Sequence, residues 1–324
     1  MLAVSAVRLD ADDPVRALAV GERPDPKPRL GWTTVRVRAS ALNHHDVWSL
    51  RGVGLGENQL PMVLGCDAAG VDEDGREVVI HSVISDPDFR GDETTDPRRS
   101  LLSERYDGTH AELVAVPRRN LVPKPPELSF EEAACLPTAW LTAYRMLFTQ
   151  SGAQPGSTVL VQGAGGGVAT ALVALGAAAG YRMWVTSRSQ AKRDRALALG
   201  AAAAFETGAR LPERVDAVME TVGAPTWEHS LKALRPGGTV VVSGATGGHE
   251  AVTDLRRVFF LSQRIVGSTM GTREELERLL ALLVRTGVRP VIDTVLPLAD
   301  AAEGFRRMVE GDVFGKVVFR TAAS

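Results

Sequence analysis

Two kinds of hydrophobic pattern divide this chain. Up to about residue 122 the apolar positions alternate over short runs. Thr33-Thr34-Val35-Arg36-Val37-Arg38-Ala39 has period two, which predicts a strand with one buried face. Glu77–Ile80 and Ala111–Val116 are further predicted strands, and proline and glycine are frequent between them. Residues 85–107 are polar and charged and are expected to form an exposed loop, and 117–126 is expected to be a proline-rich rigid connector.

From residue 123 the pattern changes. Ser129 and Glu132 have the spacing of a capping box that opens a helix. Strands and helices then alternate over 158–162, 168–179, 182–186, 190–199, 215–219, 226–234 and 238–243. This alternation predicts a doubly wound, mostly parallel sheet. Arg235-Pro236-Gly237-Gly238 reads as a turn feeding the strand after it. Arg273–Thr286 carries leucines at helical spacing behind Glu274 and Glu275, and Gly315–Phe319 is a last predicted strand.

The most informative run is Val159-Leu160-Val161-Gln162-Gly163-Ala164-Gly165-Gly166-Gly167-Val168-Ala169. It predicts a buried strand, a glycine turn and a helix N-terminus. Such a turn either simply joins strand to helix or cradles a pyrophosphate on free N–H groups at the positive end of the helix dipole. The cradle reading assigns Gly165, Gly166, Gly167 and Val168 to a dinucleotide. The run sits in mid-chain, so a separate domain is expected before it.

Composition narrows the function classes. The 324 residues allow about two domains. A net charge of -2 gives no electrostatic case for nucleic acid or an anionic membrane. The weakly polar run from Gly163 to Gly180 is too poor in large apolar residues to favour a membrane span. Arg8, Asp10, Asp12 and Asp13 interrupt any N-terminal apolar stretch, so no signal peptide is expected. Cys66 and Cys135 stand apart in apolar surroundings, as reduced thiols of a cytoplasmic protein do.

Several segments carry a resemblance. They are Ala41-Leu42-Asn43-His44-His45-Asp46-Val47-Trp48, Leu64-Gly65-Cys66-Asp67-Ala68-Ala69-Gly70, Asp107-Gly108-Thr109-His110-Ala111-Glu112, Leu136–Tyr144, Leu234-Arg235-Pro236-Gly237-Gly238 and Phe314-Gly315-Lys316-Val317-Val318. In this order they resemble the medium-chain dehydrogenase/reductase superfamily, in its quinone oxidoreductase-like and zinc-type alcohol dehydrogenase-like branch. The resemblance implies an α/β protein with a GroES-like catalytic domain, 1–122 and 269–324, and a Rossmann domain, 123–268. It also implies a homodimer joined at the sheet edge around Arg264-Ile265-Val266-Gly267.

The resemblance bears on metal and cofactor. Zinc-dependent relatives usually carry Cys where this chain has Asn43, His where it has Cys66, and Cys or Asp about where Thr138 stands. Catalytic zinc needs three protein ligands, and of these only Cys66 is a credible type, so no metal is expected. Residues 85–107 hold no cysteine for a structural zinc. Where NAD sites usually place a carboxylate this chain has Ser187, followed by Arg188, Lys192 and Arg193. A hydroxyl with cations suits the 2′-phosphate of NADPH, although Arg193 fits a solvated helix face better. Thr142, Ser243, Gly244 and Ala245 match positions around the nicotinamide, and Lys316 and His44 match residues near the cofactor phosphates.

His45 aligns with a proton-relaying hydroxyl, and an imidazole donates protons near neutral pH. Asn43 and Asp46 are placed with it in the catalytic loop, or brace that loop. Trp48 and Trp140 line a substrate slot or belong to the core, while His81 and His110 are read as structural. The expected function is an NADPH-dependent, zinc-independent reductase of small electrophiles, quinones or α,β-unsaturated carbonyls. A zinc-independent alcohol or carbonyl dehydrogenase, and a nucleotide-binding protein without turnover, are the alternatives.

Overall fold

A computed structural model describes residues 1–321. It contains two compact units. One holds Met1–Ala139, Gly271–Arg285 and the chain from Ile292, and the other holds Trp140–Met270 and Thr286–Val291. The expected boundary at 122/123 thus falls earlier than the observed one. Helix Phe130–Ala134 packs on strands Trp32–Ala41 and Asp67–Asp72, which anchors residues 123–139 in the first unit.

The first unit is β-rich. Strand Trp32–Ala41 buries Thr33, Val35, Val37 and Ala39, as its alternation predicts. The main sheet runs Leu121–Pro123, Glu77–Ile80, Asp67–Asp72, Trp32–Ala41, Lys316–Arg320, Ile292–Pro297, with Leu113–Pro117 also paired to Trp32–Ala41. The C-terminal strand is therefore internal. Its register sets Val318 opposite Ala41, which carries Lys316 to the loop after Ala41.

Helix Ala301–Glu310 closes one face. Gly304 lets it approach the sheet, since a Cβ there would lie 2.7 Å from Phe319 Cε1. Phe305 and Phe319 stack beside it with centroids 6.2 Å apart, within a core that includes Leu42, Val47, Leu50 and Leu64.

Two expectations for this unit need correction. The segment 117–126 contributes a strand, Leu121–Pro123, antiparallel to Glu77–Ile80. The segment 85–107 buries Thr94, Asp96, Ser100, Leu102 and Ser103, so it is no exposed loop throughout. Its charged residues satisfy backbone donors of their own turns. Asp92 accepts from Thr94 N, and Asp96 from Asp86 N and Arg98 N.

The second unit is a six-stranded parallel sheet ordered Ala203–Phe205, Arg182–Thr186, Thr158–Gln162, Val215–Glu220, Leu234–Val242, Arg264–Gly267. In sequence order that is 3-2-1-4-5-6, the Rossmann arrangement. The order reverses between Thr158–Gln162 and Val215–Glu220, and ligands of such sheets bind outside the strand ends at that reversal. Ala203–Phe205 carries no period-two signal and escaped the sequence reading. The turn expected at 235–238 lies inside strand Leu234–Val242. The pairing there jumps from Val215↔Leu234 to Ala217↔Thr239, so the extra residues are absorbed by a bulge.

Among the described residues no helix is long and apolar enough to cross a membrane.

Candidate functional site

In the first unit the chemistry gathers where strand Trp32–Ala41 gives way to helix His44–Leu50. Asn43 ends the extended backbone, and its N–H donates to Asp46 Oδ2 at 2.9 Å. Asp46 Oδ1 accepts from Gly65 N at 3.0 Å, and His110 Nε2 lies 3.5 Å from Oδ2. Asp46 is fully buried. Burial opposes its charge, but His110, His45 and the Asn43 N–H outweigh that and hold its carboxyl below the usual range. Asp46 thus braces the loop, one of the two roles the sequence leaves open to it.

Asn43 is a brace too. Its Nδ2 donates to Ala41 O at 3.2 Å and Asp67 Oδ2 at 2.9 Å, and its Oδ1 accepts from Lys316 Nζ at 2.6 Å. Lys316 also donates to Leu42 O at 2.8 Å and faces Asp67 Oδ2 at 3.3 Å. It is buried, with its ammonium directed into the protein. Burial pushes the Asp67 carboxyl up against the pull of Lys316.

His45 stands apart from these braces. Its Nδ1 lies 3.4 Å from Cys66 Sγ and its Nε2 3.2 Å from Glu104 Oε1. Cys66 donates its thiol proton to Leu102 O at 3.2 Å. Glu104 Oε2 accepts from Leu101 N at 3.0 Å. Sequence reasoning missed Glu104, because it lies in a charged segment with no periodicity. The apolar pair Leu101-Leu102 just before it was the one available sign that this stretch turns inward.

His45, Asp46 and Cys66 each offer one ligand atom within 4.8 Å of the others. The set fits zinc poorly, because both Asp46 oxygens already accept hydrogen bonds from the backbone N–H groups of Asn43 and Gly65. Of the positions where zinc-dependent relatives carry ligands, Asn43 is tied to Asp67 and Lys316. Thr138 offers only a hydroxyl. Cys135, also buried, is pushed up to about 12.

His81 and His110 are buried and hydrogen-bonded within the protein. His81 Nε2 meets Gly271 O at 2.9 Å and His110 Nδ1 meets Ser40 Oγ at 2.9 Å. Trp140 is fully buried, while Trp48 is half-buried under the Arg51 guanidinium. His44 is exposed on the first helical turn.

In the second unit the glycine turn opens helix Gly167–Ala178, with Gly166 as N-cap and no side chain capping it. Nothing lies within 4 Å of a Cβ built on Gly166. The uncovered N–H groups and the open backbone fit a pyrophosphate. Lys192 lies across Gly165, with Nζ 3.2 Å from where a Cβ would be.

Ser187 is buried, with its Oγ accepting from Ser189 N at 3.2 Å, and Arg188 is exposed. Arg193 bonds Ser187 O and Gln190 Oε1, so it is committed to its own turn. Ser243, Gly244 and Ala245 follow the strand end, with Ser243 N bonded to Glu220 O at 3.0 Å and Ser243 Oγ to Met146 Sδ at 2.9 Å. Thr142 is buried. Glu220, unmarked by the sequence reading, is fully buried and accepts from Val222 N, Gly223 N, Thr226 Oγ1 and Ser230 Oγ at 2.6–3.0 Å. It fixes the loop beside Ser243–Ala245, with which Thr246 and Gly247 bond Thr221 and Val222.

Known proteins resemble both units. The model of the alcohol dehydrogenase GroES-like domain matches residues 29–126, and that of the zinc-binding dehydrogenases matches 167–285. The chain is 30% identical to an acryloyl-coenzyme A reductase of Metallosphaera sedula over 93% of its own length and 96% of the relative's. A solved NAD-dependent alcohol dehydrogenase is 36% identical with a TM-score of 0.91, covering 99% of this chain and 100% of that one. A 2-octenoyl-CoA carboxylase reductase, solved with NADP and 2-octenoyl-CoA, is 26% identical with a TM-score of 0.91, covering 99% and 87%.

Proposed function

This chain belongs to the medium-chain dehydrogenase/reductase superfamily, and from that premise we propose that it is a zinc-independent, NADPH-dependent reductase of α,β-unsaturated carbonyl compounds, enoyl thioesters among them. The observation that carries the reading is the commitment of the donors around His45 and Asn43. The engagement of Asn43 and Asp46 inside the protein supports a site that, among the described residues, does not offer three free ligands to a carbonyl-polarising zinc. An acceptor already activated by conjugation, an enone or a quinone, suits such a site.

NADPH, when bound, supplies the hydride. The protein binds and orients. The N-terminus of helix Gly167–Ala178 and the Gly165–Val168 backbone hold the pyrophosphate. Lys192 and Arg188 provide the cations, and Ser187 the hydroxyl, that suit a 2′-phosphate. Thr142 and the Ser243–Ala245 loop, fixed from behind by Glu220, flank the nicotinamide. His44 is assigned to the cofactor on the resemblance alone. His45 supplies the proton that follows hydride addition. We place the enzyme in the cytoplasm, as a homodimer.

A second reading, alcohol oxidation with NAD, is favoured by the likeness to the NAD-dependent alcohol dehydrogenase. The test is cofactor oxidation by the purified chain with enones, enoyl-CoA thioesters, quinones and simple ketones, each with NADPH and NADH, before and after chelation. We expect turnover of conjugated acceptors with NADPH, unchanged by the chelator. Ketone turnover that vanishes on chelation overturns this reading, and NADH preference with simple alcohols establishes the second.

A further inference from the structure

His45 stands between a carboxylate and a thiol. Glu104 Oε1 lies 3.2 Å from Nε2, and Leu101 N donates to Oε2 at 3.0 Å. On the other side Cys66 Sγ lies 3.4 Å from Nδ1 and 3.2 Å from Leu102 O. An imidazolium satisfies both ring contacts at once, donating from Nε2 to the carboxylate and from Nδ1 to the sulfur.

We propose that Glu104 is a positioning residue that holds His45 as the imidazolium from which the reduced substrate takes its proton. This rests on the reductase reading. The substrate, having accepted hydride at its β-carbon, is an enolate that lacks one proton. It takes the proton that Nε2 shares with Glu104, and a C–H bond forms as the N–H bond breaks. His45 is left neutral, with its remaining proton on Nδ1 still directed at Cys66. Water returns the missing proton from the Glu104 side. Both side chains reach solvent there, His45 being 22% and Glu104 28% exposed.

The surroundings agree with this charge. Burial opposes it, but the Cys66 sulfur, Glu104 and Asp46 outweigh burial and raise His45 well above the usual histidine range. Burial raises the Cys66 thiol against the pull of His45. The Glu104 carboxyl is held low by the His45 hydrogen bond in spite of its own burial. Asp46 contributes from the same helix but faces His110 and Gly65. Gln59 Nε2 donates to Glu104 O at 2.6 Å and fixes the backbone that aims the carboxylate.

The experiment combines the pH dependence of kcat/KM for an enone with an NMR titration of the His45 ring, in the wild type, Glu104→Gln and Glu104→Asp. A donor is active while protonated, so the wild-type rate should hold through neutral pH and fall above the His45 pKa. In Glu104→Gln the fall should begin about 1–2 pH units lower, the range for loss of an adjacent opposite charge, and the ring titration should move with it. Glu104→Asp should lie between, with NADPH affinity unchanged in both. A wild-type ring that titrates in the ordinary histidine range overturns the proposal, and that measurement needs no variant. So does an active Glu104→Gln with an unmoved fall. A wild type that oxidises NADPH with no acceptor at all overturns the reductase reading and this inference together.

Discussion

A lysine ammonium whose hydrogens are directed at Leu42 O, Asn43 Oδ1 and Asp67 Oδ2 has nothing left to offer a phosphate. Lys316→Met should therefore leave NADPH affinity in the folded protein unchanged and lower stability. Removing one partner of a buried pair typically costs about 3–5 kcal/mol, because the other charge is stranded. Urea unfolding and NADPH titration separate the two, and lost affinity at unchanged stability would return Lys316 to the cofactor. Asp46 makes the opposite kind of prediction. Its pKa is lowered on folding, so its stabilisation is complete above the unfolded value of 3.8 and is lost as pH falls through the lower folded value. Asp46→Asn should cost ~1.5–3 kcal/mol at neutral pH, as for a hydrogen bond to a charged group, and the gap should close in acid. The residue types at both places were plain in the sequence. Their roles were not, because Lys316 meets Asn43 across 273 positions of chain and no local pattern records that distance.

Elements with a strong period were legible, and those shaped by distant partners were not. Helix Arg273–Thr286 has the limits its leucines predict, with Leu276, Leu279, Leu280 and Leu283 buried. The Ser129–Glu132 capping box is formed as read, with Glu132 N bonded to Ser129 Oγ at 3.1 Å. The edge strand Leu121–Pro123 was hidden by its prolines, since a proline on an edge needs no ladder donor and looks like a connector. The segment carrying Glu104 was hidden by charges spent on local turns. Helix Ala301–Glu310 gives a test of packing at this scale. Gly304→Ala would place a Cβ 2.7 Å from Phe319 Cε1 and 3.0 Å from Val317 Cγ1, between a helix and a strand that cannot both yield. We expect a loss of about 1–3 kcal/mol, as for overpacked cores, read by thermal unfolding with cofactor affinity preserved.

For the molecule as a whole, the outer strand of the parallel sheet bears on the assembly proposed above. Arg264–Gly267 pairs on one side only, with Leu234–Val242, and exposes Ile265. The preceding helix, Leu255–Phe260, leaves Phe259 63% and Phe260 77% exposed. An unpaired edge beside uncovered aromatic rings is a surface that a second copy would cover. Sedimentation should give a dimer at micromolar concentration, and replacing Phe260 with Asp should shift it to monomer. A monomeric wild type would refute the assembly proposed here.

The internal place of Lys316–Arg320 in the first sheet also has a consequence for synthesis. As the chain leaves the ribosome, every strand of the parallel sheet, through Gly267, has emerged while the neighbour of Trp32–Ala41 is still untranslated. The first unit, begun earliest, is therefore finished last. Until Lys316 emerges, Asp67 has no cation and one flank of Trp32–Ala41 stays open to wrong pairing. A stop codon just before Lys316 would leave the second unit able to fold and the first waiting for an internal strand.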